Sequence, residues 1–206
     1  MLRLVDSPSA RLPVALRAGE TALAECLVTR ALEDGETAVE VLNHLAAALR
    51  DTRSSEAEAH RATIVCEHLL AVTFEALREP APASAALVIV AGAPGESRAL
   101  GLRLAACVAE SAGCDVRNLG SALDPFALAR RIADERPGAV VLCAQEAASL
   151  PRLQRAIAAV RVAAPSADAI VYGEAAAGRS SVLGATVAKD LNELARLLPR
   201  HTVTAA

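Results

Sequence analysis

The chain has 206 residues, 53% hydrophobic and 22% charged, with a formal net charge of -3. That length holds one domain or two small ones with a real core, and a pI near 5.8 excludes the general basic field by which a protein binds nucleic acid on its own. The mean hydropathy is +0.35, yet no uninterrupted apolar run reaches the roughly 18 residues of a membrane-spanning helix.

The opening Met1-Leu2-Arg3-Leu4-Val5-Asp6 breaks into charge at once and carries no signal-peptide pattern. A cytoplasmic protein with no membrane partner is therefore expected. With one Tyr, two Phe and no Trp, the core must be built from Ala, Leu and Val, which suits closely packed helices. Cys26, Cys66, Cys107, Cys114 and Cys143 form no C-x-x-C pair, so they read as small core thiols rather than a zinc site or a disulfide framework.

Residues 7 to 79 are helical in pattern. Leu23, Leu27 and Ala31 recur at helical spacing, as do Val41, Leu45, Ala48 and Leu49, then Ile64, Leu69, Val72 and Leu77. Breaks fall at Asp34-Gly35 and over Asp51-Thr52-Arg53-Ser54-Ser55. Three or four short helices so connected make a bundle, expected over residues 1 to 79. A Pro/Ala-rich linker at 80 to 84 closes it, and a second domain is expected over 85 to 206.

After the linker, strand-sized apolar runs alternate with helix-sized ones. Strands are expected at Ala86–Val90, Asp115–Leu119, Ala139–Cys143, Ala169–Tyr172 and Ala185–Val187. Helices are expected near Ser97–Ser111, Phe126–Glu135, Leu150–Ala164 and Asp190–Leu198. The first and third strands read as continuous apolar runs, as strands covered on both faces do. The fold class is thus α/β: an N-terminal helical bundle, then a doubly wound five-stranded parallel sheet in flavodoxin-like order.

Catalytic sets are missing from the sequence. It has no Gly-x-Ser-x-Gly elbow, no H-E-x-x-H and no P-loop lysine motif. Gly92-Ala93-Pro94-Gly95 departs from G-x-G-x-x-G and places a proline where a phosphate-binding N–H would be needed.

The stretch Gly95-Glu96-Ser97-Arg98-Ala99-Leu100-Gly101 follows the first strand and opens a helix. It resembles the Asp/Glu-x-His-x-x-Gly loop of cobalamin-binding domains, in which the His is the lower axial ligand of cobalt. Here residue 98 is an arginine, whose guanidinium has five donors and no lone pair to give. Counting on from Gly101, the family's Ser-x-Leu falls at Cys143-Ala144-Gln145 and its Gly-Gly pair at Gly173-Glu174. Leu119-Gly120-Ser121-Ala122-Leu123-Asp124-Pro125 is similar to the family's Leu-Gly-x-x-x-x-Pro turn. Upstream, Glu67-His68 resembles the Glu-His pair in the helical cap of light-sensing cobalamin regulators. Where that subfamily carries a Trp before the pair, this chain has Ala57.

The resemblance implies a cofactor-binding set of Glu67, His68, Glu96, Arg98, Gly101, Gly120, Cys143, Gly173 and Glu174, with His68 as an upper-face metal ligand. It also implies that Cys143 replaces the Ser whose hydroxyl holds the displaced benzimidazole tail, and that Glu174 replaces the second Gly of a pair that lets the tail pass. Arg98 opens a helix, where a cation is disfavoured unless an acid is near; Glu96 and Glu174 are the candidates. His60 falls on nearly the same helical face as His68, His44 reads as a surface residue, and His201 lies in a tail expected to fray.

The function expected on these grounds is a non-enzymatic regulator or sensor acting through a protein partner or its own oligomer. Its cofactor would be cobalamin without histidine ligation, haem held by His68, His60 or Cys143, or none. The alternative is a corrinoid carrier or accessory subunit of a cobalamin-dependent methyltransferase or mutase.

Overall fold

The computed structural model describes residues 8–51, 55–76, 78, 80–94, 96, 98–121, 124–145, 150–178 and 184–199. Leu77, Gly95, Ser97, Ala122, Leu123 and His201 lie outside them. The chain divides into two compact units, Met1–Arg78 and Glu79–Ala206. No described helix is long and apolar enough to cross a membrane.

The first unit is a helical bundle of α1 (Pro8–Ala18), α2 (Thr21–Glu33), α3 (Ala38–Asp51) and α4 (Glu56–Leu69), the last running on into a π-helical turn, Leu70–Phe74. Helix α1 packs against the other three with Leu12, Ala15 and Leu16 fully buried. Two of the helix starts are fixed locally. Ser55 accepts from the Glu58 N–H at 3.4 Å to cap α4, and Thr37 and Glu40 form a reciprocal capping box before α3.

The apolar pattern of α4 differs from the sequence expectation. Ala62, Val65, Cys66 and Leu69 are buried, while Ile64 is 54% and Val72 49% exposed. The seam is lined by the smaller side chains because an alanine-rich bundle brings helices close, and large residues one position away are turned outward. The π turn widens the helix at Leu70–Phe74 and brings Leu70 and Phe74 inward.

The second unit contains β1 (Leu87–Gly92), α5 (Ala99–Ser111), β2 (Asp115–Asn118), α6 (Pro125–Glu135), β3 (Ala139–Cys143), α7 (Leu150–Ala163), β4 (Asp168–Tyr172), a 3-10 turn at Glu174–Ala176, β5 (Thr186–Ala188) and α8 (Leu191–Leu197). All strand pairs are parallel, in the order β2-β1-β3-β4-β5. This is the flavodoxin-like doubly wound sheet, whose strand order reverses beside β1 and β3.

Helices α6 and α7 pack together over one face, with Ile89, Ala91, Leu128, Ile132, Val140, Leu142, Leu153 and Ile157 in a single buried cluster. Helices α5 and α8 pack against each other and against strands of the other face. The two central strands, covered on both sides, bury Val88 through Ala91 and all of Ala139 to Cys143. Asp124 accepts from the N–H groups of Phe126 and Ala127 to start α6, with Pro125 in its first turn. Arg136, at φ 50, ends that helix in the left-handed conformation, ahead of Pro137.

Candidate functional site

Parallel βα units place loops at the carboxyl ends of their strands, and the crossover beside β1 and β3 is where such a sheet opens to a ligand. The loop leaving β1 reaches α5 through Glu96 and Arg98. Glu96 is only 1% exposed, and a buried carboxylate demands donors. It has them from two loops: Oε1 accepts from the Arg98 N–H at 2.9 Å and Oε2 from the Gln145 N–H at 2.5 Å. One acid therefore ties the segment after β1 to the segment after β3. It also sets a negative charge at the start of α5, where the helix dipole favours it.

Arg98 itself is exposed and stands at the N-cap of α5 with φ -86 and ψ 95, its side chain making no capping bond. Glu96, one of the two acids expected near Arg98, holds the Arg98 backbone N–H. Gly101, in the first turn of α5, is buried. A Cβ there would fall 3.0 Å from Gln145 Nε2 and 3.4 Å from its Cγ, so the Gln145 amide lies directly on this glycine.

Cys143 closes the end of β3. It is wholly buried, with its Sγ 3.8 Å from the Gly101 carbonyl oxygen, a distance suited to a weak S–H donor. Burial first, and the Glu96 charge second, push this thiol far above its ordinary range. It stays protonated and is a poor candidate for a thiolate ligand of haem iron.

Gly173 follows β4 at φ +131, and a Cβ on it would sit 2.1 Å from the Ala144 carbonyl oxygen. Only glycine fits, because the backbone itself comes this close; the contact continues in the Ala144 N–H to Tyr172 and Ala175 N–H to Ala144 hydrogen bonds. Glu174 is exposed on the 3-10 turn that follows. Gly120 accepts from the Gly92 N–H at 2.9 Å and donates its own to Asn118 Oδ1 at 2.9 Å. This brings the β2–α6 loop against the end of β1, where a Cβ on Gly92 would meet the Ser121 Cα at 3.1 Å.

The structure thus brings Glu96, Arg98, Gly101 and Cys143 together at one sheet edge, and adds a residue the motif reading passed over. Gln145 was legible only as the last position of Cys143-Ala144-Gln145, although a lone amide at the end of an apolar strand is a signal in itself.

Glu67 and His68 belong to the helical unit. His68 Nε2 lies 2.8 Å from Glu25 Oε1, on α2, with side-chain exposures of 41% and 37%. Glu25 carries no sequence signal for this role, since the pair spans 43 positions. Glu67 is half-buried, His60 is exposed, and His44 is 3.8 Å from Glu36 Oε2 at the bundle surface. Among the described residues no group of three or more His, Cys, Asp and Glu side chains is placed to hold a metal ion.

No family model matches the sequence, and no curated protein is similar to it in sequence. Solved structures do resemble it. The monomethylamine corrinoid protein of Methanosarcina barkeri matches at a TM-score of 0.74 and 16% identity, over 90% of this chain and 94% of that one. This is the fold of cobalamin-binding proteins. A cobalamin-binding protein from Desulfitobacterium hafniense matches at 0.53 and 12% identity, over 93% of this chain and 97% of that one. A chain of the methanol:cobalamin methyltransferase complex of M. barkeri matches at 0.51 and 12%, over 93% and 78%.

The residues at the carboxyl edge do not fit a cobalamin whose cobalt is held from below by residue 98. A guanidinium has no lone pair, and the nearby acid is taken up by two backbone N–H groups. Among the described residues, Gly101 lies against both Cys143 Sγ and the Gln145 amide.

Proposed function

We propose that the chain is a non-catalytic corrinoid carrier that presents cobalamin to a protein partner and supplies no lower axial ligand of its own. The observation that carries this reading is the likeness to the M. barkeri corrinoid protein over 90% of this chain at a TM-score of 0.74. A second corrinoid-system neighbour, from a methyltransferase complex, favours carriage over sensing. Bound at the switch point of the sheet, the cofactor would supply cobalt chemistry. The chain's own part would be to hold it against the strand ends, with the exposed Arg98 as the permanent cation of that edge.

Titration of the purified chain with aquocobalamin, followed by absorbance, tests the reading. Saturable binding below about 0.1 mM is expected. In protein uniformly labelled with nitrogen-15, the reduced cobalt should show electron-spin coupling to the cofactor's own benzimidazole nitrogen, unchanged by the label. Coupling to a labelled protein nitrogen would overturn the ligation mode, and an absence of binding would overturn carriage and return the chain to the regulator reading.

A further inference from the structure

We infer that this protein recognises a corrinoid by its ring and refuses its nucleotide tail, because Gln145, held in place by Glu96, plugs the space beside Gly101. The inference rests on the corrinoid-carrier reading and adds to it a rule of selection. Gly113 and Gly120 face open space, with nothing within 4 Å of an added Cβ, and are required by their backbone at φ +81 and +75. Gly101 instead meets the Gln145 side chain at 3.0 Å.

The plug is anchored rather than resting. The Gln145 N–H donates to Glu96 Oε2 at 2.5 Å, and the same carboxylate, 1% exposed, accepts from Arg98 at 2.9 Å. Lifting the segment after β3 would strip a charge-assisted bond from a buried acid, a loss that resists displacement. The flanks are closed as well. Cys143 Sγ reaches the Gly101 carbonyl oxygen at 3.8 Å, and Gly173 leaves no gap against the Ala144 carbonyl. The aligned positions Gly101, Cys143 and Gly173 thus each lie against the chain's own atoms.

Dicyanocobinamide, a corrinoid ring without the nucleotide, is the probe, compared with cyanocobalamin on the full chain. Wild type should bind the two within about threefold, and Gln145→Ala should shift the ratio of affinities toward cobalamin by about tenfold or more. Native-state amide exchange gives an arm that needs no ligand. The Gln145 N–H should be protected in wild type and lose about tenfold of that protection in Glu96→Gln, with the far-ultraviolet circular dichroism unchanged.

A tenfold preference of wild type for cobalamin, an unprotected Gln145 N–H, or a ratio that Gln145→Ala leaves unmoved would overturn the inference while leaving carriage intact. Cobalamin bound by Gln145→Ala alone would support the plug and overturn carriage. Failure of both corrinoids with both proteins would overturn the two together.

Discussion

Glu25 in the helical bundle and Glu96 in the sheet unit are satisfied in opposite ways. In the helical bundle, Glu25 meets His68 side chain to side chain, each more than a third exposed. In the sheet unit, Glu96 is buried and spends its oxygens on backbone N–H groups of two loops. A half-solvated pair can open and exchange its partners for water at little cost, whereas a buried carboxylate bonded to main chain builds the loops it touches. The first kind of group leaves a surface free to change, and the second fixes a site's shape. The difference predicts that substitutions at the sheet edge cost far more than those in the bundle.

The largest effect belongs to Gly173. Alanine there must find room beside an oxygen 2.1 Å from its Cβ, at φ +131, so either the β4 turn or the segment after β3 must move. Gly173→Ala should lose about 3 kcal/mol or more of stability in urea denaturation. A loss under about 1 kcal/mol would mean the sheet edge is as yielding as the bundle surface, and the contrast between the units would fail.

Glu96→Ala comes next. It removes no large apolar surface but leaves the Arg98 and Gln145 N–H groups without the acceptor that the fold gives them. Arg98 is exposed and Gln145 half-buried, so water can reach the orphaned groups in part and a loss of about 1–3 kcal/mol is expected. Glu96→Gln should fall between this variant and wild type, because the amide keeps one acceptor oxygen.

The sheet edge was legible in the sequence wherever local pattern decides structure. The strand runs Leu87–Val90 and Ala139–Cys143, the Asp124-Pro125 helix start and the helix over Leu150–Ala163 all follow from apolar period and capping chemistry, and the parallel order follows from strand-helix alternation. The bundle was legible in its breaks and less so in its faces, since Ala62 and Cys66 outcompete Ile64 for the seam through the closeness of the helices, which no single-helix pattern records.

The site was half legible. Motif spacing brought out Glu96, Gly101, Cys143 and Gly173, which the fold sets along one edge. The bonds that give them their roles, Glu96 to Gln145 across 49 positions and Glu25 to His68 across 43, are long-range pairings that spacing cannot reveal. Gly173 aligns with the first glycine of a pair that the resemblance ties to a ligand's tail, and its nearest neighbour is the chain's own Ala144 carbonyl.

A smaller effect, set by pH, sharpens the same contrast. Burial raises the Cys114 thiol, and burial together with the Glu96 charge raises Cys143. The unfolded chain ionises its thiols from about pH 8.5, while the folded chain keeps Cys143 protonated well above that and shifts Cys114 in the same direction. The folded pKa lies above the unfolded one, so the stabilising contribution is complete below that pH and is lost as pH rises above it. Stability to denaturant should fall between pH 8.5 and 10, with Cys143 contributing on the order of 1 kcal/mol one unit above the unfolded value and Cys114 adding to the fall in the same direction. Cys143→Ala should flatten part of that fall, and equal slopes in variant and wild type would show that the edge is open to water.

The smallest effect is reserved for the bundle. His68 and Glu25 are 41% and 37% exposed at 2.8 Å, a geometry good enough for a hydrogen bond but wet enough for water to replace either partner. Their long-range link joins α4 to α2, helices already held by buried residues such as Val28, Ala31, Val65 and Leu69, so the pair adds to a contact that stands without it. A double-mutant cycle with His68→Ala and Glu25→Ala should therefore return a coupling of about 0.2–1 kcal/mol. It should shrink further in 1 M salt, where the Debye length is about 3 Å. A coupling above about 2 kcal/mol, insensitive to salt, would place the pair in a dry environment like that of Glu96, and the bundle would then hold a second fixed site rather than an adaptable surface.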